Sequence, residues 1–284
     1  MADVPSGPIP PPPPPPEGTP PGPGSLRPRT LGEILSAAFE IYKNNAQGLI
    51  VIVAIIVVPL SLISALILHY AVSNTTTSTT TINGHVVTVS STSVGTAIFG
   101  GIIAAAISII IGALLQAAII RAGAQATIGD PVDVEDSYRY GFHRIGSVVL
   151  VGLLVGLAVA FGFILLVIPG ILALVYFSVS IPSLVVENRR GTKAMSRSAN
   201  LVSGHFWHAF GVIIVAYIIV AVVSGILSAI GGNSWFIRWI FNAIAQIITT
   251  PFSALVSVLL YLDLRARKEA LTTTVLRSEL SAGM

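Results

Sequence analysis

The chain has no cysteine, which excludes disulfides, thiolate nucleophiles and cysteine-ligated metals. It is also poor in charge. Only 10% of its 284 residues are Asp, Glu, Lys or Arg, against about 25% in an ordinary soluble domain. Hydrophobic residues make up 54% and the mean hydropathy is +0.87, so there is too little polar surface to coat a water-soluble fold of this size. Aromatic residues are sparse and do not interleave with basic ones. The net charge of +3 is therefore not a nucleic-acid footprint. Residues 1–29 lack an apolar core, so no cleavable signal peptide is expected. No Asp, Glu, Lys or Arg falls within the long apolar runs, which argues against proton relays and ion-coupled transport.

Proline is concentrated at one place. Thirteen of the 18 prolines precede Thr30, including an unbroken run from Pro10 to Pro16. Such a tract favours an extended polyproline II rod and cannot build a core. It reads as a disordered tail, either a spacer, which is the simpler reading, or a docking ligand for an SH3-like protein partner. The ordered part opens at Thr30-Leu31-Gly32-Glu33, the pattern of a helix capping box. Leu31, Ile34, Leu35, Ala38 and Tyr42 follow on one face of an amphipathic helix expected to lie in the headgroup plane.

Four intervals without charge follow, 44–120, 145–186, 198–237 and 239–262. A membrane span needs about 20 residues at 1.5 Å each to cross a hydrocarbon core of roughly 30 Å. Six spans result, at about 48–72, 94–120, 147–167, 170–186, 206–230 and 237–262. The first two are separated by a Ser/Thr-rich loop in which Thr79–Ile82 and His85–Val89 flank Asn83-Gly84, a two-residue hairpin signal. Pro169-Gly170 supplies the turn that divides the second interval. With both termini inside, all 12 Asp and Glu and every Lys and Arg except Arg238 fall on the cytoplasmic side, as the positive-inside rule requires. Trp207, Trp235 and Trp239 lie near span ends, as interface anchors do. Cytoplasmic segments at Thr30–Asn45, Pro131–Arg144 and Thr192–His205 suggest a unit repeated three times, an amphipathic helix followed by a two-span hairpin. The expected architecture is thus an all-α polytopic membrane bundle. It comprises the tail 1–29, a six-span domain 30–270 of three hairpins each preceded by a cytoplasmic amphipathic helix, and a cytoplasmic C-terminal tail 271–284.

Mild polar residues collect on the second helix of each hairpin. They are Gln116 in span two, Ser180, Pro182 and Ser183 in span four, and Asn242, Gln246, Thr249, Thr250, Pro251 and Ser253 in span six. Helix–helix glue with proline bends explains them. A shared polar lining for a lipid headgroup or small solute is the sharper alternative, and it requires spans two, four and six to converge. Gly152 with Gly156, and Gly100, Gly101 and Gly112, would permit close helix approach. His205 and His208 share a helix face, but no third ligand completes a metal set. The Asp130, Asp133, Glu135 and Asp136 cluster is better explained by helix capping than by acid–base chemistry. Asn74-Thr75-Thr76 matches a glycosylation acceptor of little specificity. No catalytic constellation and no cofactor motif is found.

Three stretches carry a resemblance. They are Arg29-Thr30-Leu31-Gly32-Glu33-Ile34-Leu35, the segment from Glu187 to Trp207, and Tyr261-Leu262-Asp263-Leu264-Arg265-Ala266-Arg267-Lys268-Glu269. Over about residues 29–270 the chain resembles the membrane domain that precedes the catalytic barrel of some bacterial glycerophosphodiester phosphodiesterases, and similar stand-alone membrane proteins. The resemblance implies a six-span helical module used beside lipid metabolism. No barrel follows within these 284 residues, so the phosphodiesterase activity is not carried over. From the residues themselves, Glu187, Asp263, Arg265 and Arg267 form a candidate charge network at the cytoplasmic face, and the basic residues there can attract anionic membrane lipids. The expected protein is a bacterial plasma-membrane scaffold or lipid-associated accessory module without enzymatic activity. The alternative is a transporter or a translocator of lipid or small solute.

Overall fold

The computed structural model describes residues 26–73, 76–82, 85–91, 94–232 and 234–282. The Pro10–Pro16 run and Asn83-Gly84 lie outside them. Among the described residues the fold is helical, with one two-stranded ribbon. Helix α1 (Leu31–Asn44) starts at the anticipated capping box. The Thr30 N–H donates to Glu33 Oε2 at 2.8 Å, and the Glu33 N–H donates to Thr30 Oγ1 at 3.4 Å. This reciprocal pairing satisfies two amides that the helix itself cannot. Asn45 interrupts the chain before α2 (Ala46–Ser73) begins. Strands β1 (Thr76–Ile82) and β2 (His85–Ser91) pair antiparallel with Ile82 opposite His85, a longer ribbon than the sequence pattern suggested. Helix α3 (Val94–Thr127) then returns.

Helix α4 (Val134–Leu165) is one unbroken helix of 32 residues, capped by Asp133, whose carboxylate accepts from the Glu135 and Asp136 amides. The segment Pro131–Arg144 is therefore no separate amphipathic helix, because its polar turns run straight into the apolar span. Discrete helices occupy the other two places, α1 and α7 (Thr192–Val202), so the three-unit repeat is not realised.

The turn between spans three and four also differs from expectation. It lies at Leu166, which is fully extended at φ −167° and ψ 156°, while Pro169 and Gly170 belong to α5 (Val167–Tyr176). Proline is compatible with a first helical turn, where its missing N–H has no helical partner to lose. The tight approach of α4 and α5 falls on two glycines. A Cβ on Gly162 would lie 2.9 Å from the Gly170 backbone, and one on Gly170 would lie 2.5 Å from the Phe163 ring. Nothing approaches within 4 Å of a Cβ at Gly112, Gly152 or Gly156, so these three do not mediate close packing. Residues Phe177–Val179 break the span again before α6 (Ser180–Glu187).

Helices α8 (Phe206–Ile230) and α9 (Trp235–Glu269) form the last antiparallel pair. The chain beyond is not a free tail: α10 (Thr273–Ala282) buries Leu276 and Leu280 in the core. Among the described residues six helical stretches are long and apolar enough to cross a membrane: Ala46–Ile63, Ile109–Thr127, Val134–Leu165, Val167–Glu187, Phe206–Ile230 and Trp235–Glu269.

Burial is graded along the bundle. The C-terminal part of α9 is buried on nearly every side from Ala254 to Ala266. A helix enclosed all round is a core element and not a surface one. By contrast, Leu150, Leu153, Leu157, Phe161 and Ile218 stand exposed on α4 and α8. Exposed apolar flanks of this extent suit a hydrocarbon surround.

Two outcomes follow. Replacing Gly162 with alanine forces backbone against backbone and should cost about 1–3 kcal/mol. Gly152→Ala should be neutral or stabilising by up to about 1 kcal/mol, and thermal unfolding in detergent compares the two. The Thr30 N–H, and after it the Thr30 hydroxyl, hold the Glu33 carboxyl below the usual carboxylate range. A depressed folded pKa adds stability above the unfolded value and loses it as pH falls through the folded one. Amide exchange in the first turn of α1 should therefore accelerate below about pH 4, and Glu33→Gln, which removes the titrating carboxyl, should abolish that pH step.

Candidate functional site

The charged residues of the bundle gather at one end, around the enclosed part of α9. Two stripes at i, i+4 spacing rise from that helix, Tyr261–Arg265–Glu269 and Asp263–Arg267, and such spacing places side chains on one face. Each stripe meets a different set of partners.

The first stripe meets Glu187 at the end of α6. Glu187 Oε1 accepts from Tyr261 OH at 2.6 Å and from Arg197 Nε at 2.8 Å, while Oε2 accepts from Arg189 Nε at 2.6 Å. Arg265 Nε lies 3.6 Å from the same carboxylate. Arg265 also donates to Tyr261 OH at 3.2 Å, and both of its terminal nitrogens reach Glu279 of α10, at 2.6 and 3.0 Å. Arg197 of α7 in turn pairs with Glu269. Burial alone would lower the Arg197 pKa, but its bonds to Glu269 and Glu187 outweigh that and raise it. The side chains of Glu187 and Arg265 are each only 6% exposed. A buried carboxylate is tolerated only when cations and donors replace its lost water, and here Arg189 just after α6, Arg197 on α7, and Tyr261 and Arg265 on α9 supply them.

The second stripe fastens the N-terminal segment. Asp263, fully enclosed, accepts from the Arg29 backbone N–H at 2.6 Å and from Arg267 Nε at 2.8 Å, and lies 3.0 Å from His208 Nε2 of α8. Arg267 returns a bond to the Arg29 carbonyl at 2.5 Å. The Leu26 N–H donates to the Leu271 carbonyl at 2.9 Å. Residues 26–30 thus form a strap across the end of α9.

A third set surrounds Arg121 of α3, whose side chain is 2% exposed. It donates to the Leu280 carbonyl at 2.7 Å and to Asp136 at 3.4 Å, and its guanidinium stands 4.8 Å over the Tyr140 ring. Tyr140 OH donates to the Val185 carbonyl at 2.8 Å. Asp130 holds Arg277 at 2.9 Å, a third tie to α10.

Of the four residues proposed as one charge network, Glu187 meets Arg265, whereas Asp263 and Arg267 pair with each other. Arg197, Tyr261, Glu279, Arg121 and Asp136 were missed. The i, i+4 register of Tyr261 and Arg265 would have revealed the first stripe, but nothing in the sequence marks Glu279 as its partner.

The candidate polar lining does not assemble. Helices α3, α6 and α9 do pack together, yet Gln116, Gln246 and Ser253 are exposed. Thr249 donates to the Ala245 carbonyl of its own helix, and Ser253 to that of Thr250. Thr250 is half-buried, and Pro251 is buried. Asn242 accepts from Ser228 at 3.1 Å, joining α8 to α9. Ser180, Pro182 and Ser183 are buried on α6, and the two serine hydroxyls have no partner among the described residues. Backbone satisfaction and local helix pairing use up the Asn242, Thr249 and Ser253 groups. Burial, and after it Arg267 and Lys268, lowers the His205 pKa. Among the described residues no three His, Asp or Glu are grouped to hold a metal ion.

No family model, curated protein or solved structure matches the chain.

Glu187→Gln should destabilise the protein by about 3 kcal/mol, since three guanidiniums lose a buried counter-charge. Arg139→Gln, at an exposed pair, should cost less than about 1 kcal/mol. Combining Glu187→Gln with Arg265→Gln should cost less than the sum of the two singles. Thermal unfolding of the four variants in one detergent reads all three comparisons.

Proposed function

We propose that this is a multi-pass protein of a bacterial plasma membrane, with both termini cytoplasmic, that works as a non-enzymatic scaffold or lipid-associated accessory module. The observation that carries the reading is the charged end itself. It ties the N-terminal strap, α1, α3, α4, α6, α7 and α10 around α9 through paired carboxylates and guanidiniums. Carboxylates engaged in this way act as fixed acceptors rather than as proton donors or nucleophiles. The same end presents a strap leading back to the proline-rich tail, which suits a protein partner. The exposed apolar flanks suit lipid. The charge asymmetry between the two sides of the six spans supports the orientation, and the likeness to phosphodiesterase membrane domains belongs to the same proposal. A transporter would need a convergent polar path, and the dispersal of Gln116, Gln246 and Ser253 weighs against it.

The test is a native mass spectrum of the full chain extracted in mild detergent. A lipid or a protein retained at fixed ratio is the expected result. A bare monomer at every detergent condition, joined to solute uptake in vesicles, would overturn it. A reporter fused after Met284 should be active only in the cytoplasm.

A further inference from the structure

We propose that the α4–α5 hairpin does not cross the membrane: it turns at Leu166 inside the hydrocarbon, and acyl chains of the leaflet opposite the charged end fill the space above it. This inference rests on the multi-pass membrane reading, and it leaves both termini on one side.

The depth of the hairpin is set by its foot. Helix α7, which carries Lys193 and Arg197, uses the Ser198 hydroxyl to donate to the Tyr176 carbonyl at 2.7 Å and to accept from the Val179 N–H at 3.2 Å. The end of α5 therefore lies at the level of α7. The Tyr176 ring is 5.6 Å from that of Phe206, the first residue of α8, so α5 and α8 share a starting level. From there α5, with 10 residues, rises about 15 Å, whereas α8, with 25, rises about 37 Å. A second measure runs along α4. A Cβ on Gly191, at the head of α7, would lie 3.9 Å from Leu150 Cδ2. Leu166 is 16 residues beyond Leu150, a rise of about 24 Å. Both values fall short of α8 and of a hydrocarbon core of roughly 30 Å.

Burial on α8 stops at the same height. Ala209, Val212 and Ala216, in its first three turns, are buried. Above them Val222, Ile226 and Ile230, at i, i+4 and i+8, are exposed. At the tip, Ile164, Leu165, Leu166, Val167 and Ile168 are each more than half exposed, and no polar side chain occurs between Ser147 and Tyr176. The other two connections on that side are polar, a ribbon rich in Ser and Thr and a turn closely followed by Arg238. A tip in water would expose a contiguous apolar patch. Hydrocarbon tolerates irregular backbone badly, and this turn holds little of it. Leu166 is the single residue between the helices. Its N–H donates to the Gly162 carbonyl at 3.0 Å, and its carbonyl accepts from the Gly170 N–H at 3.3 Å. Pro169 brings no N–H that would need a partner. The recess thus has the tip as floor and the upper part of α8 as wall. Neither carries a polar side chain at these positions, so the chemistry they fit is that of acyl chains.

The chain has no cysteine, so single cysteines report without background. Full-length Leu166→Cys, Ser234→Cys and Ser203→Cys are each labelled with bimane in detergent and reconstituted in phosphatidylcholine vesicles. The vesicles carry a nitroxide either near the headgroup or at the acyl-chain end. The Leu166→Cys probe should be quenched about twofold more by the chain-end nitroxide, and the other two more by the headgroup one. In intact cells a membrane-impermeant maleimide should label Ser234→Cys alone, and in everted vesicles Ser203→Cys alone. If Leu166→Cys does not fold, Ile168→Cys makes the same comparison. Labelling of Leu166→Cys at the rate of Ser234→Cys would overturn the inference and leave the multi-pass reading standing. Quenching of Leu166→Cys by neither nitroxide would mean that protein covers the tip, and would overturn acyl chains as its surround. Labelling of Ser203→Cys and Ser234→Cys from the same face would overturn both the inference and the multi-pass reading.

Discussion

The fold depends on burying one carboxylate. Glu187 lies at the end of α6 with its side chain 6% exposed, and an isolated charge in that position would cost several kcal/mol. What makes it tolerable is that its replacement for water comes from three elements at once: Arg189 just after its own helix, Arg197 on α7, and the Tyr261 hydroxyl and Arg265 on α9. No two of these elements can shift relative to one another without stranding a charge. A lipid surround gives helices little hydrophobic reason to prefer one another. Polar contacts with fixed geometry therefore have more to do in setting the arrangement here than they would in a soluble bundle.

The same constraint reaches both ends of the chain. Arg265 carries it to Glu279, so α10 is held by a two-pronged ion pair as well as by Leu276 and Leu280. Arg121 adds a second hold, through the Leu280 carbonyl. Two residues beyond Tyr261, Asp263 turns the neighbouring face of α9 toward the strap and takes the Arg29 amide. Opposite chain ends thus converge on one helix, and Leu26 meets Leu271 directly. The membrane depth of the bundle shows the contrary pattern. There α8 and α4 expose long apolar side chains and the ties are few, Trp239 to Ser61 and Ser228 to Asn242 among them.

How much of this was legible in the sequence varied with the kind of signal. The apolar runs announced six spans because length and hydropathy are local properties, and the Thr30–Glu33 capping box is local too. The turn at Leu166 was misplaced because Pro169-Gly170 looks like a breaker. Yet proline near a helix start is compatible with the helix, and the glycine serves close packing against Phe163. Pro131–Arg144 looked like a separate helix because charge ended the span by count, although α4 runs through that boundary without a break. The C-terminal segment was read as a tail because ten weakly apolar residues carry little signal alone. Its place follows from Arg121 and Arg265, about 160 and 15 residues away. Of the candidate site, the α9 motif was legible as charge at a span end. Its division into two stripes with separate partners needed the tertiary structure.

The polar residues at membrane depth show why composition misleads about function in such a chain. Thr249 and Ser253 each return their hydroxyl to a carbonyl of the same helix, which costs nothing in specificity and needs no neighbour. Ser180 and Ser183 are buried on the one short helix that leads into Glu187, where a small side chain lets α6 pack against its neighbours. A path for solute would need such groups to face one another across a gap, whereas Thr249 and Ser253 bond their own backbone and Gln116 and Gln246 are exposed. The groups that do face one another are the ionic ones, and they close the end of the bundle. Arg190 and Lys193 stand exposed at the α6–α7 corner, beside the apolar flank of α4. The exposed apolar side chains of α4 and α8 point outward, while the ionic groups close one end of the bundle.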